Sequence, residues 1–435
     1  MFGVEFVKIL FVSASPLKKE LSIGNTFINL FKDMDDVELA SVYTRAGTPD
    51  KEISQAFCIT EKMLIRNLIK KTPVGIRVEG TENSEKSKVQ SKKNEQRLFN
   101  FIKSRRWRVF FWIQDFIWKI GKWKSPELRS FVEEYDPDVV FTLLTDSVIL
   151  NKLILHVAEL ANKKLVLYAW DNNYSLKQFQ LSPLYWIRHL KNRKSMRKVV
   201  DQTDLLYVIS DVQKTDYEKA FNRECKILTK GADFSNDAPV KKDYNQPLQL
   251  VYTGNIGMNR WRSLDAIASA LEKINENGVK VQLRIYTGNT VTAKISKALN
   301  KGESSFIMGS VSADEVLRIQ DEADMLVHVE SKDLKNKLLV RQSFSTKIVD
   351  YLKSARPILA YGPKDVASIR YFIKNDCGIV ANDENELYEK LKLVVDDMNK
   401  LDLLAEKAYK CGRENHNKSD IHEMLRKDLC IDINN

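Results

Sequence analysis

Short apolar runs alternate with helix-like stretches along almost the whole chain. The runs predict buried strands at 7–13, 138–144, 164–169 and 205–209, and a second series at 248–253, 280–286, 325–329 and 357–361. Strands that alternate with helices in this way indicate α/β architecture with parallel sheets.

A polar segment separates the two series of strands. Ser235–Pro247 carries two prolines and has no hydrophobic periodicity, which is typical of a linker. We therefore expect two Rossmann-like domains, at 1–234 and 248–405, followed by a helical tail at 406–435 that folds back on the first domain. Glu79–Gln96 is nearly free of apolar residues and is expected to be a mobile insertion.

Composition is that of an ordinary globular protein, with 435 residues of which 43% are hydrophobic. Its longest apolar runs, such as Val139–Leu144, fall far short of the roughly 20 residues that span a bilayer. The apolar start at Val7–Val12 is expected to be a strand and not a signal peptide. Five scattered cysteines favour reduced thiols in a cytosol, and a net charge of +11 favours an anionic partner.

The segment Arg341–Pro363 predicts an anion site at the start of a helix. Polar residues up to Thr346 precede an apolar-periodic run, so the helix is expected to begin near Ser345. Free N–H groups at such a start suit a phosphate, and Lys347 adds a full charge. Asp350 can accept hydrogen bonds from a ribose. A capped core helix with ordinary surface charges is the alternative interpretation.

A second loop, at the head of the later domain, predicts another phosphate site. Gly254 and Gly257 form a flexible turn after an apolar strand, and a helix is expected to start near Ser263. Arg260 precedes that helix, and its planar guanidinium can bridge two oxygens of a diphosphate. Both loops would follow the carboxyl ends of parallel strands, so Arg260 and Lys347 are expected to converge on one anion. A glycine-bearing turn with solvated arginines is the alternative.

Six segments, in order along most of the chain, resemble glycosyltransferase family 4, whose members are retaining enzymes of the GT-B fold. They are YDPDVVFT, LLYVISD, ILTKGADF, LVYTGNIGMNRW, FIMGSVSADEVLRIQDEADMLVHVES and FSTKIVDYLKSARPILAYGP. The resemblance implies two Rossmann-like domains whose parallel sheets face a central cleft, with a C-terminal helix returning to the first domain.

The resemblance also implies a hexosyltransferase of the bacterial cell-envelope polysaccharide type. Such an enzyme moves a sugar from a nucleotide sugar, here a UDP- or GDP-sugar, to a lipid-linked or polysaccharide acceptor. It would be cytoplasmic and peripheral on the inner face of the plasma membrane, and would need no cofactor. Implied catalytic residues are Arg260, Lys347 and Asp171, and implied donor-binding residues are Gly254, Asn255, Ser345, Thr346, Asp350 and Ser331. The five unclustered histidines indicate no metal site.

Three positions depart from the family pattern. Asn255 and Arg260 stand where the family usually has arginine and lysine on the donor phosphates, so one cation is missing. Gln342 replaces a glutamate and cannot supply a carboxylate. Trp170 replaces a frequent histidine. Asp171 is then either a ligand for an acceptor hydroxyl or a plain surface aspartate, because strand-end loops collect polar residues.

The loop Ser13–Ile23 is a candidate on the acceptor side. It joins a strand to the helix at Thr26–Phe31, and Gly24 lies just before that helix. Such a loop can approach the donor phosphate or the acceptor. A glycine that permits tight packing at a helix start explains the pattern at least as well.

Residues 97–124 combine cations with tryptophan. They contain eight Lys or Arg, one acid and four of the seven tryptophans. Indoles favour the headgroup level of a membrane and cations favour anionic lipid, so the segment predicts an interfacial helix on an anionic membrane. The membrane-facing residues would be Arg105, Arg106, Trp107, Arg108, Trp112, Trp118, Lys122 and Trp123. A second basic cluster lies at 188–198, and the two clusters together suggest that the first domain faces the membrane; a core-packed helix with solvated ends is the alternative.

Three other functions stay open at the level of sequence. A catalytically silent scaffold would explain the missing charges at positions 255 and 342. A nucleotide-sugar epimerase would share the fold, but it needs acid–base groups that no motif supplies. A pI near 9.1 with interleaved Arg and Trp suggests nucleic-acid binding. Because no DNA- or RNA-binding motif accompanies that charge, no nucleic-acid partner is expected.

Overall fold

A computed structural model describes residues 6–20, 22–79, 108–239 and 243–429. Within these ranges, sixteen α-helices and fourteen strands build two separate β-sheets with helices packed on them. The predicted α/β class with mainly parallel sheets is confirmed. The mobile insertion predicted at Glu79–Gln96 lies, beyond Glu79, outside the described residues.

The first sheet contains eight strands. They are β1 Val7–Ser13, β2 Val37–Tyr43, β3 Gln55–Cys58, β4 Ile76–Glu79, β5 Val139–Leu143, β6 Lys164–Ala169, β7 Leu205–Val208 and β8 Lys226–Ile227. Their order across the sheet is β4-β3-β2-β1-β5-β6-β7-β8, and only the edge pair β3–β4 is antiparallel. Strand β5 is buried along its whole length and is apolar except for Thr142, because helices cover both faces of a parallel sheet.

Seven helices accompany this sheet. They are α1 Ser22–Phe31, α2 Glu61–Lys70, α3 Arg108–Ile120, α4 Pro126–Tyr135, α5 Val148–Ala161, α6 Pro183–Asp201 and α7 Asp211–Phe221. Serine caps fix several of their starts, since Ser125, Ser147 and Ser210 each accept a hydrogen bond from a backbone N–H in the first turn. Left-handed residues at Asn162 and Asn222 end two of them.

The second sheet contains six parallel strands. They are β9 Leu248–Thr253, β10 Val281–Tyr286, β11 Ser305–Gly309, β12 Met325–Val329, β13 Ile358–Tyr361 and β14 Ile379–Ala381. The order is β11-β10-β9-β12-β13-β14. Successive strands are added towards one edge from β9 to β11 and towards the other edge from β12 to β14, so the strand order reverses between β9 and β12. In open α/β sheets a crevice forms outside the carboxyl ends of the strands at such a reversal, and ligands bind there.

Seven helices accompany the second sheet. They are α8 Arg260–Ile274, α9 Ala293–Leu299, α10 Ala313–Glu322, α11 Leu334–Val340, α12 Lys347–Lys353, α13 Ala367–Asn375 and α14 Glu384–Asp396. Two starts differ slightly from the sequence expectation, since α8 begins at Arg260, three residues before Ser263, and α12 begins at Lys347, two residues after Ser345. The first turns of both helices therefore include the two predicted cations.

The last two helices, α15 (Lys400–His416) and α16 (Lys418–Leu429), return to the first sheet. Arg426 holds both carboxylate oxygens of Asp36 at 2.7 to 3.1 Å, and the Tyr207 hydroxyl donates to Asp428 at 2.8 Å. The predicted return of the C-terminal helix to the first domain is confirmed. The exact domain limits stay predictions.

The segments after β6 and β7 meet the segment between β12 and β13. Asn172 donates through its side chain to the backbone oxygen of Leu338 at 2.8 Å, and the Ser210 hydroxyl donates to the backbone oxygen of Gln342 at 2.7 Å. An ion pair joins Arg341 to Asp216. These contacts close one side of the cleft between the two sheets.

Candidate active site

The loop between β9 and α8 is held in one shape by its own hydrogen bonds. Tyr252 donates through its hydroxyl to the backbone oxygen of Asn255 at 2.8 Å, and the Asn255 side-chain oxygen accepts from the Gly257 N–H at 2.6 Å. Met258 and Asn259 then adopt left-handed backbone angles, with φ of 52° and 62°. The chain thereby turns sharply enough for α8 to start at the crevice. Asn255 itself is exposed and shapes the loop.

Lys347 reaches from α12 onto this same loop. Its ammonium donates to the backbone oxygen of Thr253 at 2.9 Å. A Cβ atom at Gly254 would lie 2.8 Å from the Lys347 Nζ, so only glycine leaves room for this approach. The two loops that the sequence predicts to converge do meet, and Gly254 is the residue that allows it.

Arg260, at the first position of α8, is held by a buried carboxylate that sequence reasoning missed. Its Nε and Nη2 lie 3.1 and 2.9 Å from the same Glu330 oxygen, and Glu330 is 4% exposed. Glu330 follows β12, and its other oxygen lies 3.5 Å from the Ser368 hydroxyl. The only sequence signal for it is an acid directly after an apolar strand. Glu330 fixes the direction of the guanidinium and leaves Nη1 for another partner.

The charges around these two cations are unbalanced. Burial and the neighbouring Arg260 lower the pKa of Lys347, against the smaller opposing effect of Asp350. Burial and both cations lower the pKa of His328, on β12, to about 3, so this imidazole is neutral near pH 7. Burial raises the pKa of Glu330, although Arg260 opposes this. Two cations held side by side in a cleft repel each other, and a bound anion would relieve that repulsion.

Asp350, the predicted ribose ligand, already has a partner from the first domain. Its carboxylate pairs with the Lys230 ammonium at 2.5 Å, and both side chains are about one quarter exposed. Lys230 follows β8 in the segment ILTKGADF, and sequence reasoning did not assign it a role. This ion pair places a third cation next to the predicted ribose ligand.

The serine and threonine candidates divide into two groups. Ser345 and Thr346 lie directly before α12, at the cleft, where Thr346 is exposed. Ser331 is buried, and its hydroxyl lies 2.5 Å from the backbone oxygen of Met258 and 2.9 Å from Asp333. Ser331 therefore links the β9–α8 loop to the segment after β12, which is a structural task and differs from the predicted contact with the donor.

Gln342 is fully buried and lies at the contact between the domains. Its side-chain nitrogen donates to Asp216 at 2.5 Å, and its side-chain oxygen has no partner among the described residues. A glutamate, which glycosyltransferases of family 4 often have at the position that Gln342 resembles, would face the Asp216 carboxylate. The amide thus suits this contact where a second carboxylate would not.

The acceptor-side candidates surround the end of β6. Asp171 is exposed in the cleft, and its backbone oxygen accepts from the Gln213 side chain at 3.0 Å. Although the residue is exposed overall, neighbouring protein groups remove part of the water around its carboxyl. This desolvation, together with the charge of Asp146, raises the pKa of Asp171. Trp170 packs its ring against Phe27 of α1, with centroids 6.0 Å apart. An indole at this position serves packing, whereas the histidine it replaces would be polar.

Gly24 lies in the first turn of α1, which begins at Ser22 and therefore earlier than predicted, and it fits the packing interpretation. A Cβ atom there would lie 2.1 Å from the backbone nitrogen of Lys18. The loop before α1 therefore folds directly onto the helix, and any side chain at this position would displace it. Whether the loop also contacts an acceptor stays a prediction.

The predicted membrane-facing residues need correction. Arg105, Arg106 and Trp107 lie outside the described residues, and the side chains of Arg108 and Trp112 are likewise not described. The prediction that Trp118 faces a membrane is wrong, because Trp118 is 3% exposed and its indole N–H donates to Glu61 at 2.9 Å.

Trp123 also packs inward. Its ring is half-buried and lies edge-to-face on His156, at 5.6 Å between centroids. Of the predicted residues whose side chains are described, Lys122 alone is exposed. Two of the four tryptophans thus anchor α3 to the first domain, in agreement with the alternative of a core-packed helix.

Trp118→Ala is accordingly expected to lower the free energy of unfolding by about 3 kcal/mol or more, since it removes a large buried ring. Urea unfolding checks this. Phe116→Ala is the matched control, because Phe116 is 61% exposed on the same helix and its loss should cost about 0.5 kcal/mol at most. Equal unfolding of the two variants would contradict the buried position of Trp118.

The described part of the chain contains neither a cluster of metal ligands nor a membrane-spanning helix. No group of three His, Cys, Asp or Glu side chains within it could hold a metal ion. No helix within it is long and apolar enough to cross a membrane.

Comparison with known proteins identifies the fold. No protein-family model matches the chain, and no curated protein matches it. Among solved structures, HepE from Anabaena, in complex with UDP and glucose, is similar with a TM-score of 0.61 at 11% identity, over 98% of this chain and 100% of HepE. Sucrose-phosphate synthase from Thermosynechococcus elongatus has a TM-score of 0.57 at 10% identity, over 98% and 100%.

The N-terminal domain of trehalose-6-phosphate phosphatase from Candida albicans is similar to the same extent, with a TM-score of 0.58 at 12% identity, over 98% of this chain and 96% of that one. All three similarities extend over nearly the whole chain, so both sheets and their arrangement are shared. The predicted GT-B fold is confirmed.

Proposed function

We propose that the protein is a glycosyltransferase that moves a sugar from a nucleotide diphosphate sugar, with UDP or GDP as the nucleotide, to a lipid-linked or glycan acceptor. One observation carries the proposal: Lys347 and Arg260 lie in the first turns of two helices at the switch point of the second sheet, where Arg260 lowers the pKa of Lys347 and both cations lower the pKa of His328. The fold of HepE, a structure that contains UDP and glucose, supports it.

The two cations suit the departure of a diphosphate. As the bond between the sugar and the β-phosphate breaks, negative charge builds on the leaving oxygen. Lys347 and the free edge of Arg260 can oppose that charge, and they are already in place before the reaction. Cations fixed in this way supply the stabilisation that a divalent metal supplies in other transferases.

The remaining roles follow from position. Asp350 can accept hydrogen bonds from the ribose once Lys230 is drawn towards the nucleotide. Asp171, across the cleft, can hold the acceptor hydroxyl, and the raised pKa of its carboxyl suits a group that takes up a proton. Retention at the anomeric carbon rests on the family resemblance. We place the enzyme in the cytoplasm, at the inner face of the plasma membrane.

Product analysis tests the proposal. The protein would be incubated with UDP-glucose, GDP-mannose and related donors together with a glycan as the acceptor of the sugar, and NMR would follow release of the nucleotide and the configuration of the sugar. Release of UDP or GDP with an α-configured product from an α-configured donor is expected, and a chelator should not stop it. An epimerised donor would instead show an epimerase, and a bound but unchanged donor would show a silent scaffold.

Binding of UDP is expected to take up a proton at alkaline pH. The diphosphate stabilises protonated Lys347, so its pKa rises on binding from the lowered value of the free protein. At about pH 9 the affinity for UDP should therefore be lower than at about pH 8, where the nucleotide phosphate, with a pKa of about 6, is already fully ionised.

Calorimetry in two buffers of different ionisation enthalpy measures this proton uptake. Lys347→Ala should abolish it, while Lys353→Ala, which removes an exposed lysine in the last turn of the same helix, should not. Proton uptake that persists in Lys347→Ala would assign the titration to another group.

A further inference from the structure

Helix α6 exposes a row of large apolar side chains. Leu184, Ile187 and Leu190 recur every three residues on one side of the helix and are 55%, 56% and 54% exposed. The opposite side packs into the first domain through Met196 and Val199, among others. Apolar side chains scattered singly on a surface are ordinary, but three in register on one helix face form a patch.

The loop that leads into α6 extends this patch. Leu176, Phe179 and Leu181 are exposed, and Leu181 reaches 87%. Trp186 fixes the junction of loop and helix, since its indole N–H donates to the backbone oxygen of Gln180 at 2.8 Å. The exposed leucines are thus presented by an ordered turn.

The second half of the same helix face is cationic. Lys194 and Lys198 are exposed and follow the apolar residues along the helix, and α6 has no acidic residue before Asp201. Lys191, between the two halves, lies 3.2 Å from Asp115 of α3. That ion pair places α3 beside α6, and α3 contributes the exposed Phe116.

We propose that this docking face, formed by Leu181, Leu184, Ile187, Leu190, Lys194 and Lys198, binds the surface of an anionic lipid bilayer. When the N-terminal half of α6 enters the surface first, its apolar side chains meet the acyl chains and the lysines further along the helix meet the anionic headgroups. Lys194 and Lys198 favour a negatively charged partner, and a leaflet rich in anionic lipid supplies that charge across the whole face, whereas a protein partner would need acidic groups opposite both positions.

The docking face lies at the rim of the cleft. The loop that carries Leu176 to Leu181 begins at Asp171, the candidate acceptor ligand, and Asn172 in the same loop contacts the second domain at Leu338. A bilayer on the docking face would therefore lie next to the acceptor side of the site. This last step rests on the proposed function and names a lipid-linked molecule as the acceptor. The membrane binding itself does not rest on the proposed function.

Vesicle flotation of the full chain, without nucleotide or acceptor, tests the binding. The wild type should float with vesicles of phosphatidylglycerol and phosphatidylcholine, and binding should fall as salt screens the charges. Two variants should each lose roughly tenfold or more in affinity for these vesicles. They are the triple variant Leu184→Gln, Ile187→Gln, Leu190→Gln and the double variant Lys194→Gln, Lys198→Gln. Glutamine keeps the helix propensity of the replaced residues.

Matched controls lie in the second domain. Leu393→Gln with Leu403→Gln removes two leucines of similar exposure, 57% and 56%, and Lys273→Gln with Lys297→Gln removes two exposed lysines. Both controls should bind like the wild type, and thermal unfolding should be unchanged in all four variants. Equal flotation of the triple variant and the wild type would overturn the proposal.

Two other outcomes would also overturn it. If the wild type does not float, the face binds no bilayer. If the wild type is a dimer that the triple variant converts to a monomer, and neither floats, the face joins two copies of the chain. Because no donor is present, failure of the docking leaves the proposed transferase untouched, and a protein that floats but binds no nucleotide refutes only the transferase.

Discussion

Lys347→Ala is expected to lower the rate of sugar transfer about a hundredfold. A charge-assisted contact that strengthens as the diphosphate leaves is worth about 3 kcal/mol in the transition state, which corresponds to about that factor. The fold should survive, because among the described residues the Lys347 ammonium has the backbone oxygen of Thr253 as its one hydrogen-bond partner and is repelled by Arg260. Steady-state kinetics at saturating donor would measure the effect.

Two variants make this result interpretable. Lys353→Ala removes an exposed lysine from the same helix and should leave the rate unchanged. Gly254→Ala keeps the lysine but places a methyl group 2.8 Å from its Nζ, so it should displace the ammonium and lower the rate as well. A wild-type rate in Lys347→Ala would show that this lysine is not part of the catalytic site.

The convergence of Arg260 and Lys347 was predictable from sequence because it follows from topology. Arg260 begins the first helix after β9, Lys347 begins the second helix after β12, and the carboxyl ends of these neighbouring parallel strands share one edge of the sheet. The strand pattern alone therefore places both loops together. The role of Glu330 was not predictable, since an acid after a strand is ordinary and only its burial beneath Arg260 makes it significant.

The error at Trp118 has a different cause. Cations and tryptophans within one segment resemble an interfacial helix, but the local sequence carries no sign of Glu61, which lies 57 residues earlier and accepts from the indole. A hydrogen bond to a residue far away in the sequence thus determines which side of α3 faces inward. On α6 the sequence indicated the basic cluster at 188–198 but not the exposed apolar side chains, because Leu184 and Ile187 precede that cluster and an apolar residue in a helix is ordinarily expected to be buried.

Arg260→Ala is expected to lower both transfer and stability, which distinguishes it from Lys347→Ala. Transfer should fall about a hundredfold for the same electrostatic reason. Unlike Lys347, however, Arg260 pairs with a buried carboxylate, and removal of one partner of such a pair typically costs about 3 kcal/mol because the other charge is left without compensation. Urea unfolding and steady-state kinetics would measure the two losses separately.

The double variant Arg260→Ala, Glu330→Gln separates the two effects. It removes the uncompensated charge, so most of the lost stability should return, while transfer stays low because the guanidinium is still absent. If the double variant is as unstable as Arg260→Ala, the loss arises from packing and not from the buried charge. If its transfer recovers, Arg260 acts on stability alone and has no place in the reaction.

The stability of Arg260→Ala should also depend on pH more steeply than that of the wild type. Burial already raises the pKa of Glu330, and the pKa should rise further when Arg260 no longer opposes it. Between the ordinary pKa of a glutamate, about 4.3, and this raised value, the folded variant binds more protons than the unfolded chain. Its stability therefore falls as pH rises, so the deficit against the wild type should be larger at about pH 8 than at about pH 5. A deficit that does not change with pH would mean that Glu330 is not the group left uncompensated.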